Sequence, residues 1–216
     1  KWMVGLATEV TLETLSSLYA TLYMRHWYHA MGAKIGPGSE ISTNLAGRYD
    51  LVDIGADNFI GDEAVFGDEE LHRGWMTLEK VKTGDRVFFG NDCVISAGAV
   101  IEDDALIGVK SKLPEGKRVG KKETWFGSPA MSIPNRQKVA ISANFTYQPP
   151  VWFKAFRYVF EALHTSLPTA LFISMAYITA DIIAVPMEAG QWGLAVAYFL
   201  ASGIVMGVVA ILVCAA

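Results

Sequence analysis

From Thr83 to Trp125 the chain repeats every six residues. Cut into hexads, its first positions are Thr83, Phe89, Ile95, Ile101, Ile107, Leu113, Val119 and Trp125, bulky and apolar after the first. Four residues beyond each stand Val87, Cys93, Ala99, Ala105 and Ser111, and then Lys117 and Glu123. The second positions are small or acidic over five blocks: Gly84, Gly90, Ser96, Glu102 and Gly108. A period of six suits neither an amphipathic helix nor a long alternating strand. A fixed period of this kind is the mark of a repeat architecture.

The repeat predicts a coiled parallel β-structure. Each hexad supplies one short flat face. The bulky first side chain points inward, and the small fifth side chain fills the space beside it. Successive coils stack, pair their backbones and share one apolar column. Glycine or a short polar residue at the second position permits the corner.

The register extends beyond this stretch. It opens at Ile35 and Ile41, breaks between Asn44 and Tyr49, and resumes through Ile54, Ile60 and Phe66. A second break runs from Gly67 to Lys82. There a loop is expected to leave the coil at Asp68–Arg73, with Trp75, Met76 and Leu78 returning to it. Loops that leave a rigid repeat are where functional groups tend to sit. The repeat closes with Trp125-Phe126-Gly127-Ser128-Pro129-Ala130. The expected organisation is a helix over 1–33, a β-helix over 34–137, a linker over 138–150, and 151–216 as an amphipathic helix followed by two membrane spans.

In the first segment Leu12, Leu15, Leu18, Tyr19, Leu22 and Tyr23 recur at helical spacing. Two readings fit it: an interfacial, membrane-associated helix with aromatic ends, or an amphipathic cap on the coil. The last segment starts with the aromatic-rich Val151–His164. From Ser166 to Pro186 it holds one charge, Asp181, and from Gln191 to Ala216 none. Each run is long enough to cross a bilayer core, and the short link Met187–Gly190 makes them a hairpin. Gly203 and Gly207 form a G-x-x-x-G suited to helix packing. Lys154 and Arg157 before the first run, with Glu188 the only charge in the link, place the β-helix on the cytoplasmic side of an integral membrane protein. The chain opens at Lys1 without a methionine and ends inside an apolar run, so it is expected to be part of a longer protein.

Composition narrows the chemistry. A formal net charge of −4 offers no nucleic-acid footprint. The two cysteines, Cys93 and Cys214, fall at an inward hexad position and in an apolar run, so no disulfide framework is indicated. His72 is the only histidine between Lys34 and Arg136, too few for a metal centre, and no bound cofactor is expected.

The hexads resemble the hexapeptide-repeat family, whose fold is a left-handed parallel β-helix with three hexads per coil. The handedness is what the resemblance implies, an exception to the right-handed crossover rule. Many members are acyltransferases, in which a loop histidine accepts a proton from the attacking hydroxyl or amine. Histidine suits that role because its ordinary pKa lies near operating pH. By this resemblance His72 is the candidate general base. Arg73 and Trp75 beside it are candidate binding residues. Asp50 and Asn91 are candidates to orient His72 or an acceptor amine, or else corner and loop residues. Trp125, Gly127 and Ser128 belong to a closing motif that either meets the pantetheine arm of an acyl donor or simply caps the coil.

Leu51–Gly55, H-R-G-W at His72–Trp75, Gly90–Gly98, Leu106–Val109 and Trp125–Ala130, taken with the flanking apolar runs, resemble a narrower group. It is the membrane-embedded C-terminal region of nonribosomal peptide synthetases of the polylysine-synthetase type. The resemblance implies upstream adenylation and thiolation domains, a phosphopantetheine-tethered aminoacyl donor, amide-bond formation, and further β-helical copies able to form a trimer or pseudo-trimer. Two other readings stay open: a non-catalytic scaffold for membrane assembly, and a stand-alone transferase using coenzyme A.

Overall fold

The computed structural model describes residues 3, 6, 10, 18, 21–43, 49–68, 70–114, 116–134, 146, 147 and 149–215. Most of the expected helix before Thr21, the break at 44–48 and most of the linker lie outside them. The chain divides into two compact units, Lys1–Lys154 and Ala155–Ala216.

The first unit is a parallel β-helix, and its pairing registers define the coil. On one face, Lys34–Ile35, Val52–Ile54, Val81–Thr83, Val100–Ile101 and Arg118–Val119 pair in that order, all parallel. On the second, Glu40–Ile41, Phe59–Ile60, Phe88–Phe89, Leu106–Ile107 and Thr124–Gly127 do the same. The third pairs Val65–Asp68 with Val94–Ser96, and Val94 is bridged to Lys112. Ile101 faces Val119 and Phe89 faces Ile107, steps of eighteen residues. Eighteen is three hexads, one per face. Two steps depart from it: Ile35 to Ile54 is nineteen, and Ile60 to Phe89 is twenty-nine.

The inward column is as the period requires. Phe89, Ile95, Ile107, Leu113 and Val119 are wholly buried at first positions, and Cys93, Ala99, Ala105 and Ser111 at fifth positions. Phe66 and Phe89 meet edge to face, with centroids 4.9 Å apart. Two polar residues join the column where the period alone would place apolar ones. Buried Asn58 donates from Nδ2 to Thr83 Oγ1 and to the Gly84 carbonyl, at 3.2 and 2.9 Å, and its Oδ1 accepts from the Val87 amide at 2.6 Å. Thr83 is the non-apolar first position, and it is partnered.

The corners use more than glycine. Three residues beyond ten of the inward first positions the backbone is left-handed: Asp57, Glu63, Arg86, Asp92, Asp104, Lys110 and Lys122, together with Gly38, Gly98 and Gly116. Polar side chains there point into solvent or pair between coils. At second positions the need for glycine is steric. A methyl group on Gly84 would overlap the Asp103 carboxylate, and one on Gly55 would overlap the Gly84 carbonyl.

The ends of the coil are closed differently. Helix Leu22–Ala30 stops at Gly32, which has φ of 98°. It buries Met24 and Tyr28 in the column, and the Tyr28 hydroxyl donates to the Thr43 carbonyl. It thus caps the first coil. At the far end the fifth positions, Lys117 and Glu123, turn charged and lie partly exposed, and among the described residues no further coil covers them. Glu123 accepts from Trp125 Nε1 at 2.9 Å, and the Lys117 ammonium sits 4.6 Å from the Trp125 ring centroid. The closing motif does not begin another coil. Thr124–Gly127 completes the second face, the chain reverses through Ser128 and Pro129, and Ala130–Ser132 returns antiparallel along that edge. Pro129, with no amide hydrogen, sits in the reversal, where no ladder donor is needed.

The second unit contains most of helix Val151–Glu188 and all of helix Trp192–Ala215. The separate amphipathic helix and first span expected from the sequence are one continuous helix of 38 residues. No glycine interrupts the junction. At 1.5 Å per residue it is about 57 Å long, and the second about 36 Å. Both are long and apolar enough to cross a membrane. Gly190, with φ of 72°, makes the turn between them, where the Gln191 amide donates to the Pro186 carbonyl at 2.8 Å. Gly203 lines one apolar cleft between the two helices and Gly207 another.

Candidate functional site

The twenty-nine-residue step contains eleven residues more than a coil needs. Eight of the inserted residues form an antiparallel hairpin of Glu70–His72 and Trp75–Thr77, with Glu70 opposite Thr77, Leu71 opposite Met76 and His72 opposite Trp75. Two residues remain for the turn. Arg73 has φ of 48° and Gly74 of 82°. Positive φ at both central residues is the type I′ arrangement, whose twist matches that of the flanking strands. H-R-G-W is therefore two strand ends and the turn between them, and Trp75 and Met76, expected to return to the coil, stand exposed on the hairpin's second strand. His72, Arg73 and Trp75 are all exposed, Trp75 at 79%.

The other candidates fall into two places. Asp50 lies in the short 3₁₀ turn Tyr49–Leu51, just before Val52. Val52 pairs with Val81, where the hairpin rejoins the coil, so Asp50 and the hairpin share the edge between the third and first faces. Asn91 is on another edge, between the second and third faces. Its Oδ1 accepts from the Asp62 amide at 3.2 Å. Asp85 does the same for Ala56 at 2.7 Å, and Asp103 for Asp85 at 3.1 Å. Asn91 thus occupies a corner-stacking position. Gly127 and Ser128 lie along Asn91's edge, two coils on. The Gly127 amide donates to Ser111 Oγ at 3.0 Å, and Ser128 is exposed in the closing turn. Trp125 is turned inward on the second face, 9% exposed. The structure groups His72, Arg73, Trp75 and Asp50 at one edge, and Asn91, Gly127 and Ser128 at another.

Sequence reasoning passed over the hairpin's root. Lys80 Nζ lies 3.3 Å from Asp53 Oδ2, and the Glu79 carboxylate rests against Gly98. The available signal was glycine at 98, a hexad position where Asp92, Asp104 and Lys110 are accommodated.

The remaining polar surface is largely self-neutralised. A groove of about 470 Å³ on the first face is lined by Lys82, Glu102, Asp103 and Lys121 among others. Three of these four charges are paired: Lys121 with Asp103 at 3.2 Å, and Glu102 with Arg118 at 2.7 Å. Hydrogen bonding from the Asp85 amide, then the pairing with Lys121, holds the Asp103 carboxyl below its ordinary pKa. Glu123 is likewise held low, chiefly by the Trp125 indole. Burial pushes the Cys93 thiol up to about 12, so it carries no nucleophile at neutral pH. Among the described residues no group of three or more His, Cys, Asp or Glu side chains could hold a metal ion.

A delta-poly-L-ornithine synthetase of Acinetobacter baumannii (strain AB307-0294) is 38% identical to this chain over 185 residues. The chain is related to one segment of that synthetase. The match takes in 85% of this chain and 14% of the synthetase, so the chain spans a small part of the relative's length. A relative that makes a poly-amino acid is the kind the quoted motifs implied. No family model matches the chain. Among solved structures, a hexapeptide-repeat acetyltransferase of Vibrio cholerae is 22% identical, with 48% of this chain and 62% of that one covered and a TM-score of 0.41. The same Vibrio protein complexed with acetyl coenzyme A gives 21%, 48%, 60% and 0.42. A hexapeptide transferase family protein of Anaplasma phagocytophilum gives 22%, 49%, 57% and 0.38. The coil of the present chain rests on its own pairing registers.

Proposed function

We propose that this chain is a membrane-anchored hexapeptide-repeat domain of a nonribosomal peptide synthetase-like protein. In this reading it assists amide-bond formation from a carrier-bound aminoacyl thioester. The observation that carries it is the hairpin: in a chain related to a synthetase segment, a two-residue turn lifts His72, Arg73 and Trp75 off the rigid coil into solvent. An imidazole so placed accepts a proton from the attacking amine. The amine nitrogen bonds to the thioester carbonyl carbon, the carbon–sulfur bond breaks, and the thiol departs with the proton returned to it. Arg73 and Trp75 offer a cation and an aromatic face to the donor arm, and Asp50 shares their edge. Trp125, Gly127, Ser128 and Asn91 serve the coil and its closure.

The donor is a phosphopantetheine-tethered aminoacyl group from thiolation and adenylation domains elsewhere in the protein. Further β-helical copies complete a trimer or pseudo-trimer of left-handed coils. Helices Val151–Glu188 and Trp192–Ala215 anchor the domain in a membrane, and Lys154 and Arg157 keep the coil on its cytoplasmic side. The test is His72→Ala and His72→Gln in the full-length protein. Product formation is expected to fall at least about a hundredfold. Unchanged turnover removes His72 from the mechanism.

A scaffold is favoured by a separate observation. The closing motif and Asn91 each have a structural task in the coil. Unchanged turnover in the two His72 variants, with loss of the protein from the membrane on deleting the coil, is the result that reading expects. A coenzyme A-dependent transferase would instead turn over with free acyl-coenzyme A and no carrier domain.

A further inference from the structure

Both limbs of the hairpin meet the same short corner of the next coil. The outgoing limb ends the strand Val65–Asp68, where Asp68 pairs with Ser96 across a register shift that follows Ile95. On the returning limb, the Glu79 carboxylate lies against Gly98, two residues further along that corner. The corner itself is anchored. Ser96 is buried, and its hydroxyl donates to the Leu113 carbonyl at 2.6 Å. Val81, fully buried, then carries the returning limb back into the first face.

Gly98 leaves the room that the Glu79 carboxylate occupies. Its backbone is left-handed, with φ of 73°, yet Asp92, Asp104 and Lys110 hold side chains at the same hexad position with φ between 53° and 59°. At the other two edges, then, the coil accepts a Cβ at this position. At Gly98 a methyl group would overlap the Glu79 carboxylate. At Gly116, one coil on at the same edge, it would meet nothing within 4 Å.

We propose that the Ser96–Gly98 corner is a clamp on the hairpin and that Glu79 is a positioning residue for His72. The clamp holds both roots of an arm whose tip is otherwise in solvent, and Lys80–Asp53 adds a partly exposed ion pair on the returning side. The consequence for turnover rests on the role given to His72 above.

The experiment measures amide hydrogen exchange over residues 70–77 in the chain and in three variants. Gly98→Ala forces the carboxylate away. Glu79→Ala removes it without touching the coil. Gly116→Ala introduces a comparable left-handed alanine with no carboxylate to displace. Exchange is expected to rise about tenfold in the first two and to stay at the parent rate in the third. If Gly98→Ala and Glu79→Ala exchange like Gly116→Ala, the clamp is overturned. In the full-length protein the first two variants are expected to lower kcat about tenfold with KM unchanged. Faster exchange with unchanged kcat upholds the clamp and overturns the catalytic reading of His72.

Discussion

The Arg86 guanidinium donates to both carboxylate oxygens of Asp104, one coil further on, at 2.8 and 3.2 Å. Both residues sit in left-handed backbone, with φ of 56° and 59°. The pair staples two coils across a corner, and each partner is about a third exposed. The hydrogen bond from Arg86 holds the Asp104 carboxyl below its ordinary pKa, and raises that of Arg86 in turn. A carboxyl depressed in the folded state contributes stability above its unfolded pKa of about 3.9 and loses it as pH falls through the folded value. Thermal melts should therefore hold steady from neutral pH down to about pH 5 and fall below about pH 4. Asp104→Asn should flatten part of that fall and cost about 1 kcal/mol at neutral pH, less at high salt.

Asn58 carries more. Replacing it with leucine leaves the Val87 amide and the Gly84 carbonyl without the partners they have now. Two such losses inside the coil should cost about 3 kcal/mol in a urea titration. Asn91→Ala removes one bond at the surface, from the Asp62 amide, and should cost about 1 kcal/mol with KM for any donor unchanged. A raised KM in Asn91→Ala would return it to the binding site.

What the sequence reveals and what it hides follow from what six-residue periodicity encodes. It fixes which side chains point inward, so Phe89, Ile95 and Ile107, with Cys93 and Ala99 beside them, are legible without a structure. Apolar pattern carries no dihedral angle, so Arg86, Asp92, Lys110 and Lys122 look like ordinary surface charge, although each turns a corner at positive φ. The break at Gly67–Lys82 is visible as lost register. Its form depends on φ at Arg73 and Gly74, and the glycine after Arg73 was the one clue to a hairpin. Two candidate groups came apart because the edge a residue occupies depends on counting coils, and the twenty-nine-residue step shifts that count. The end of the repeat at Trp125–Ala130 is legible because Trp125 is a good inward residue, but the form of the closure, a reversal at Ser128 and Pro129, depends on pairing with Ala130–Ser132 and is not.

The left-handed corners make a prediction that distinguishes backbone from side chain. Lys110 is exposed, with φ of 53°. A β-branched residue is poorly tolerated there, so Lys110→Val should destabilise the coil by about 1–2 kcal/mol. Lys110→Gly should change stability by less than about 1 kcal/mol, because relief of backbone strain is offset by a more flexible unfolded chain. Equal losses in both variants, measured by urea titration, would show that the lysine side chain matters rather than its backbone.

Cys93 offers an internal reporter for all of these measurements. Its sulfur lies in the wholly buried column, and burial pushes its pKa up to about 12. Only the thiolate reacts appreciably, and reagent reaches it only when coils separate. In a Cys214→Ala background, alkylation of Cys93 at pH 8 should be slower than that of a free thiol by the factor that stability sets, and should match the free rate in denaturant. The protected rate should rise in Asn58→Leu and Lys110→Val in proportion to their loss of stability. Cys93→Ala should be tolerated at about 1 kcal/mol, since Ala99 and Ala105 fill equivalent positions one hexad and two hexads on. Fast alkylation of Cys93 in the folded chain would mean that the coil opens locally at the third face. The corner that clamps the hairpin would then be the first place to look for the opening.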